Sequence, residues 1–267
     1  MKSIIPNIND FDTYIFDLDG TLYLGGVEIE GASNFIDQLK RAGKNVYVIT
    51  NNSSKTPKIY WEHLKKINIV LKEEEVINST TSLYKWLKKN SLEDKSYFIF
   101  GTKDMKKQLA DYGIKHSEKA DTVIIGNNTE FTWDEFVKAS KLIVDGADYI
   151  VSNPDLRQPL KDGYYSPDAG LITEMMEKVT FIKPKIILGK PTKEMIESFI
   201  EGKTILFGDR IYTDMACAKN ASISNCLVLS GEATYEDFKE SKVKIDYVAK
   251  HVGEIYEENE KRKNENN

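Results

Sequence analysis

The chain has 267 residues, 40% of them hydrophobic, and a formal net charge of −5 with acids and bases interspersed. That is length for one large or two ordinary domains, and it lacks the basic face that a general nucleic-acid binder needs. The opening Met1-Lys2-Ser3-Ile4-Ile5-Pro6 has no apolar signal core, no run reaches membrane-spanning length, and the two cysteines, Cys217 and Cys226, read as reduced core residues, so a soluble cytoplasmic protein is expected.

The first expected strand, residues 13–16, is aromatic and β-branched and runs straight into Asp17-Leu18-Asp19-Gly20-Thr21. Gly20 lets the backbone turn there, which can bring both carboxylates to one pocket although alternate strand residues point opposite ways. Such a pair offers a hard-oxygen cation site, a nucleophile and a proton-transfer group. The plain alternative is a strand that ends in an acidic turn. Residues 32–42 form an amphipathic helix with Phe35, Ile36 and Leu39 on one face and Gly43 as its stop. The strand at 45–50 then runs into Asn51-Asn52-Ser53, and Thr56-Pro57 reads as an N-cap with proline in the first helical turn.

Further strands are expected at 96–100, 122–125 and 149–152. Thr132-Trp133-Asp134-Glu135 is a capping box that opens a helix carrying Phe136, Ala139 and Ile143 inward, and Ser166-Pro167 repeats the cap-then-proline pattern. The strand at 185–188 runs into Gly189-Lys190-Pro191. The strand at 204–207 runs into Gly208-Asp209, with Asp214 shortly after, and a last strand is expected at 225–229. From about 257 to 267 nearly every residue is charged or an amide, and this end is expected to fray.

Strand–helix alternation of this kind predicts an α/β fold with a doubly wound parallel sheet and helices on both faces. Ligands of such folds bind beyond the carboxyl ends of the strands. Four polar motifs sit at those ends here and supply two acid clusters, a hydroxyl and a lysine. Thr50 follows Asp17 by about one β-α-β unit, but the gap from Thr50 to Lys190 is several times longer. If both face one pocket, a separate α/β domain has been inserted, at residues 79–182, into a core made of 1–78 and 183–267.

In their order, Asp17-x-Asp19-Gly20-Thr21, Thr50-Asn51-Asn52, Gly189-Lys190-Pro191 and Gly208-Asp209 with Asp214 resemble the motifs of the haloacid dehalogenase superfamily. More closely the chain is similar to the NagD-like, 4-nitrophenyl phosphatase-like members of type IIA, which carry a large α/β cap between the second and third motifs. Gly25-Gly26, Asn153-Pro154-Asp155 and Asp209-Arg210-Ile211-Tyr212-Thr213-Asp214 support the match. The resemblance implies a Rossmann-like core with an inserted cap and a Mg²⁺-dependent phosphatase of small phosphorylated metabolites. Asp17 would be the nucleophile, and Asp19 the general acid and base. Thr50, the Asn51 backbone N–H and Lys190 would hold the phosphoryl group. The metal would sit on the Asp17 carboxylate, the Asp19 carbonyl and Asp209, with Asp214 in the same cluster as an orienting group.

The resemblance also gives Asn52, Arg157 and Gln158 a place among the substrate-binding residues. The loop after the Asn-Pro-Asp triplet, Leu156-Arg157-Gln158-Pro159-Leu160, has Gln158 where the pyridoxal phosphatase type has histidine, which argues against pyridoxal phosphate. Sugar phosphates, phosphoglycolate, glycerol phosphate and nucleoside monophosphates all fit, with aryl phosphates as artificial substrates. An acid at position 19 favours transfer to water, and a homodimer is compatible. The competing readings are a phosphomutase or phosphotransferase and a phosphoester-binding module without turnover. A dinucleotide-binding domain lacks its G-x-G-x-x-G after the first strand. The isolated His63, His116 and His251 are given no chemistry, and Tyr164-Tyr165 is read as packing.

Overall fold

The computed structural model describes residues 3–159 and 164–265. In chain order its strands are β1 Thr13–Asp17, β2 Tyr23–Leu24, β3 Val27–Glu28, β4 Asn45–Thr50, β5 Val76–Asn78, β6 Tyr97–Phe100, β7 Thr122–Ile125, β8 Asp148–Val151, β9 Arg157–Pro159, β10 Tyr165–Pro167, β11 Ile186–Ile187, β12 Thr204–Gly208, β13 Ser224–Val228 and β14 Tyr247–Ala249. The helices are α1 Ala32–Arg41, α2 Pro57–Lys66, α3 Ser79–Lys89, α4 Lys103–Asp111, α5 Trp133–Val144, α6 Ala169–Thr180, α7 Ala216–Asn220, α8 Tyr235–Glu240 and α9 Val252–Glu265. Two compact units result, one of residues 1–50, 58–77 and 190–267, the other of 51–57 and 78–189.

The first unit is built on a six-stranded sheet in the order β14-β13-β12-β1-β4-β5. β1 lies parallel between β12 and β4, with Phe16 level with Phe207 on one side and Val48 on the other. The chain turns one way to reach β4 and the other way to reach β12, so its topological switch point is at the carboxyl end of β1, where open α/β sheets bind ligands. Tyr14, Phe16, Phe35 and Phe207 pack there as a ring cluster, Phe16 stacked on Phe207 with centroids 4.8 Å apart and both set edge-on to Phe35. This buried aromatic layer fixes the strand whose end carries Asp17.

The C-terminal stretch expected to fray is helical in α9 as far as Glu265. Charge along its solvent face hides a short buried stripe of Val252 and Ile255, and Asn259 ties the helix to the N-terminal segment. The Asn259 amide donates to the Pro6 carbonyl (3.1 Å), and its oxygen accepts from the Ile8 N–H (3.1 Å). β5, β14 and the β2–β3 hairpin were not expected. Each is two or three residues long, too short for a period to register.

The second unit carries a parallel sheet in the order β11-β8-β7-β6. α5 and α6 cover one face through Phe136, Ile143, Ile172 and Met176, while Leu83, Leu109 and Met105 cover the other. Ile186 pairs with Ile150, so residues 183–189, placed in the core domain by the sequence, belong to this unit. Two residues of pairing to β8 decide the matter, and an apolar run cannot show which sheet it joins. Ser166-Pro167 does not open α6 either. Both residues lie in β10, paired with Gln158 and Arg157 of β9, and the cap is Asp168, whose carboxylate accepts from the Ala169 N–H at 2.6 Å. Asp168 has the extended backbone a cap requires.

Asp168 is 2% exposed, and burial, helped by the charge of Asp155, raises its carboxyl from 3.8 to about 7 against the pull of the Ala169 N–H. The unfolded chain ionises first, so stability present below the unfolded value is lost as pH rises through about 7. Asp168→Asn keeps a cap and removes the charge. It is expected to match the wild type near pH 4 and to be about 2–4 kcal/mol more stable at pH 8. Urea unfolding at both pH values measures this; an unchanged slope with pH would rule it out.

Candidate active site

The end of β1 is flanked by the ends of β4 and β12, which places Asp17, Thr50 and Asp209 on three neighbouring strand ends. Asp17, Thr50, Lys190, Asp209 and Asp214 are all buried, and Asp19 is half-buried. Thr50 closes β4 and α2 begins only at Pro57, so Thr50 is not a helix cap. After Lys190 comes a cis peptide to Pro191 and two short 3-10 turns rather than an α-helix. After Asp209 the chain makes one π-helical turn, Ile211–Met215, before α7.

The Lys190 ammonium forms an ion pair with Asp17 Oδ1 and a second, at 2.7 Å, with Asp214 Oδ1. Asp214 Oδ2 accepts from the Arg210 backbone N–H at 3.0 Å, so both of its oxygens are engaged. One oxygen from each of Asp17, Asp209 and Asp214 lies within 4.8 Å of the other two. Burial lowers the Lys190 pKa, but Asp17 and Asp214 outweigh it and hold the amine above the ordinary lysine value. Burial raises Asp17 and Lys190 pulls it back. Asp214 is raised to about 6, mostly by burial, and Asp209 stands well above the usual carboxylate range through burial and the charges of Asp17 and Asp214.

Asp209 shows what the cluster is shaped to hold. Its Oδ2 accepts from the Glu232 N–H at 2.7 Å and is walled in by two glycines. A Cβ on Gly231 would lie 2.0 Å from that oxygen, and one on Gly20, whose φ is +84°, 2.4 Å from it. Its Oδ1 is buried and finds no hydrogen-bond donor among the described residues. Three buried carboxylates facing one lysine leave excess negative charge on hard oxygen donors, the donor set Mg²⁺ selects. The residues present therefore fit a divalent cation on Asp17 and Asp209, with Asp214 orienting the lysine.

Asp209 and Asp214 are not a solvated helix start, and Lys190 is not a surface lysine, since all three are at most 3% exposed. Tyr23 is a neighbour that sequence reasoning missed: burial and the charge of Asp19 hold its phenol well above the ordinary tyrosine value. Three more groups were missed. Ser230 donates from Oγ to the Gly20 carbonyl (2.7 Å), Gly231 packs on Asp209, and Glu232 caps Asp209 Oδ2. They follow β13, so the carboxyl end of a fifth strand was the signal available.

Among the remaining candidates, Asn51 donates from Nδ2 to Asp155 (3.0 Å) and Asn52 from Nδ2 to Gln158 Oε1 (2.6 Å), all within the second unit. Arg157 is exposed, its guanidinium 4.2 Å from the Tyr165 ring centre. Tyr164 and Tyr165 are exposed and do not belong to the core. Leu160 lies outside the described residues. Cys217 and Cys226 are free and buried, and no helix among the described residues is long and apolar enough to cross a membrane.

The sequence matches a model of haloacid dehalogenase-like hydrolases over residues 14–115 and a HAD-hydrolase-like model over residues 187–255. It is 31% identical over 262 residues to an acid sugar phosphatase of Staphylococcus aureus, covering 95% of this chain and 100% of the relative. A 4-nitrophenylphosphatase from Thermotoga maritima superposes with a TM-score of 0.88 at 33% identity, covering 94% of this chain and 98% of that one. A solved chain assigned as a nagD protein gives a TM-score of 0.82 at 32% identity over 89% of this chain and 96% of that one.

Proposed function

The chain belongs to the NagD-like, type IIA branch of the haloacid dehalogenase-like hydrolases and is a phosphoric monoester hydrolase, and on that premise we propose that it is a Mg²⁺-dependent phosphatase of small phosphorylated metabolites working through an aspartyl-phosphate. The observation that carries the reading is the buried pairing of Lys190 with Asp17 and Asp214 beside an Asp209 oxygen that finds no donor among the described residues.

Phosphate monoesters resist attack because their charged oxygens repel a nucleophile, so placement and charge neutralisation do most of the work. An Asp17 oxygen bonds to phosphorus as the bond from phosphorus to the leaving oxygen breaks, and Asp19 delivers a proton to that leaving alcohol. Asp19 then takes a proton from water as the water oxygen bonds to phosphorus and the Asp17–phosphorus bond breaks. The Thr50 hydroxyl and the Asn51 N–H donate to phosphoryl oxygens, and Lys190 balances their charge. A magnesium ion held by the Asp17 and Asp209 carboxylates and the Asp19 carbonyl would keep Asp17 ionised and offset the phosphate charge. We assign Asn52, Arg157 and Gln158 to recognition of the organic part of the substrate.

The acid sugar phosphatase relative makes sugar phosphates the first class to test. A cytoplasmic phosphatase acting on such metabolites, rather than on nucleic acid or a membrane surface, is consistent with the net charge of −5. Purified protein assayed for phosphate release against a panel of phosphorylated metabolites is expected to turn over sugar phosphates and 4-nitrophenyl phosphate. EDTA should abolish turnover and added Mg²⁺ restore it. The cation at a hundred times its Kd should also stabilise the substrate-free protein by about 2.7 kcal/mol. Turnover indifferent to chelation would remove the metal from this scheme.

A further inference from the structure

The loop after β13 does more than cap Asp209. The Glu232 carboxylate takes the Arg210 guanidinium at 3.0 Å through Oε2 and the Tyr212 hydroxyl at 2.9 Å through Oε1, while its backbone N–H binds Asp209 Oδ2. Arg210 directly follows Asp209, and its positive charge is felt by Asp17, Asp209 and Asp214 alike. A guanidinium so placed is a rival for the cation: any charge it lends to the three carboxylates lessens what a metal gains there.

We propose that Glu232 is a positioning residue for the metal cradle: its carboxylate takes up the charge of Arg210, so that a divalent cation, and not the protein's own arginine, neutralises Asp17 and Asp209. The inference rests on the metal-dependent reading above. The pair is only partly screened, with the Arg210 side chain 14% exposed and that of Glu232 30%. A cavity of about 380 Å³ lined by Arg210, Tyr212, Glu232, Asp237 and Lys242 gives the guanidinium room to move if its counter-ion is lost. The Arg210–Glu232–Tyr212 link also ties the π-helical turn bearing Asp214 to the loop bearing the Asp209 cap, so one acid steadies both sides of the cradle.

Calorimetric titration of the substrate-free protein with Mg²⁺ and with Mn²⁺ tests this without using turnover. Glu232→Gln keeps the shape and the backbone N–H but loses the charge, and it is expected to weaken both cations roughly tenfold, the scale on which partners of metal ligands act. Arg210→Met is expected to bind at least as tightly as the wild type. The double variant Glu232→Gln/Arg210→Met is expected to recover to within about threefold of the wild type, because the rival charge is gone. A purely structural role for Glu232 would leave the double variant as weak as the single one, and that result overturns the proposal. So does a Glu232→Gln affinity equal to that of the wild type. If the wild type binds neither cation, the metal reading fails and this inference falls with it; if only the variants disagree, the metal reading stands.

Discussion

Asp17→Asn is expected to lower kcat at least about 10⁴-fold while leaving the melting temperature of the protein unchanged or raised. The loss is large because the amide cannot attack phosphorus, and no other group stands in its place on β1. Stability should hold because Asn has nearly the same volume and relieves a crowded site. Asp17 shares its burial with Asp209 and Asp214, and its charge raises the pKa of both. Lys190 retains Asp214 at 2.7 Å, so the variant leaves no unpaired buried cation. Steady-state kinetics with thermal unfolding measures both halves; turnover within tenfold of the wild type would show that Asp17 is not the nucleophile.

Lys190→Met should be the most damaging single change to stability. The side chain is 3% exposed and is the ion-pair partner of two buried carboxylates. Removing one partner of a buried pair costs about 3–5 kcal/mol, because the other is left charged and dry. The pH dependence has a definite sign. Asp17 and Asp214 already stand above their ordinary 3.8 through burial, and they rise further once the amine is gone. A folded-state pKa raised above the unfolded one gives stability present at low pH and lost as pH rises through the folded value. The deficit against wild type should therefore be small near pH 4 and complete by about pH 8, and millimolar Mg²⁺ should recover part of it. Turnover should fall at least about 10²-fold, the scale for losing one preorganised charge at a reacting centre. A deficit independent of pH would separate Lys190 from the carboxylates.

What the sequence shows and what it hides both have physical causes. Asp17, Thr50, Lys190 and Asp209 are legible because each follows an apolar run and breaks its pattern with a group costly to bury. α5 is legible from Thr132, whose hydroxyl accepts from the Glu135 N–H at 3.2 Å. The other half of the expected capping box is diverted, since Glu135 spends its carboxylate on Lys106. Ser166 misled because hydroxyl-then-proline also suits a short strand, and Asp168 was the better cap. Residues 183–189 misled because sheet membership is decided by long-range pairing that no local window contains. Glu232 was invisible for a related reason. Only the meeting of the strand ends brings it to Asp209, and in sequence it is one more acid in a polar loop.

The central claim is that Asp17 carries the phosphoryl group during turnover. Its most direct test is to quench the enzyme while it hydrolyses a sugar phosphate, reduce with borohydride, which converts an acyl phosphate to homoserine, and map the peptides. The account predicts homoserine at position 17, formed only when substrate is present. Steady phosphate release with Asp17 unmodified, or the modification on another carboxylate, would contradict it.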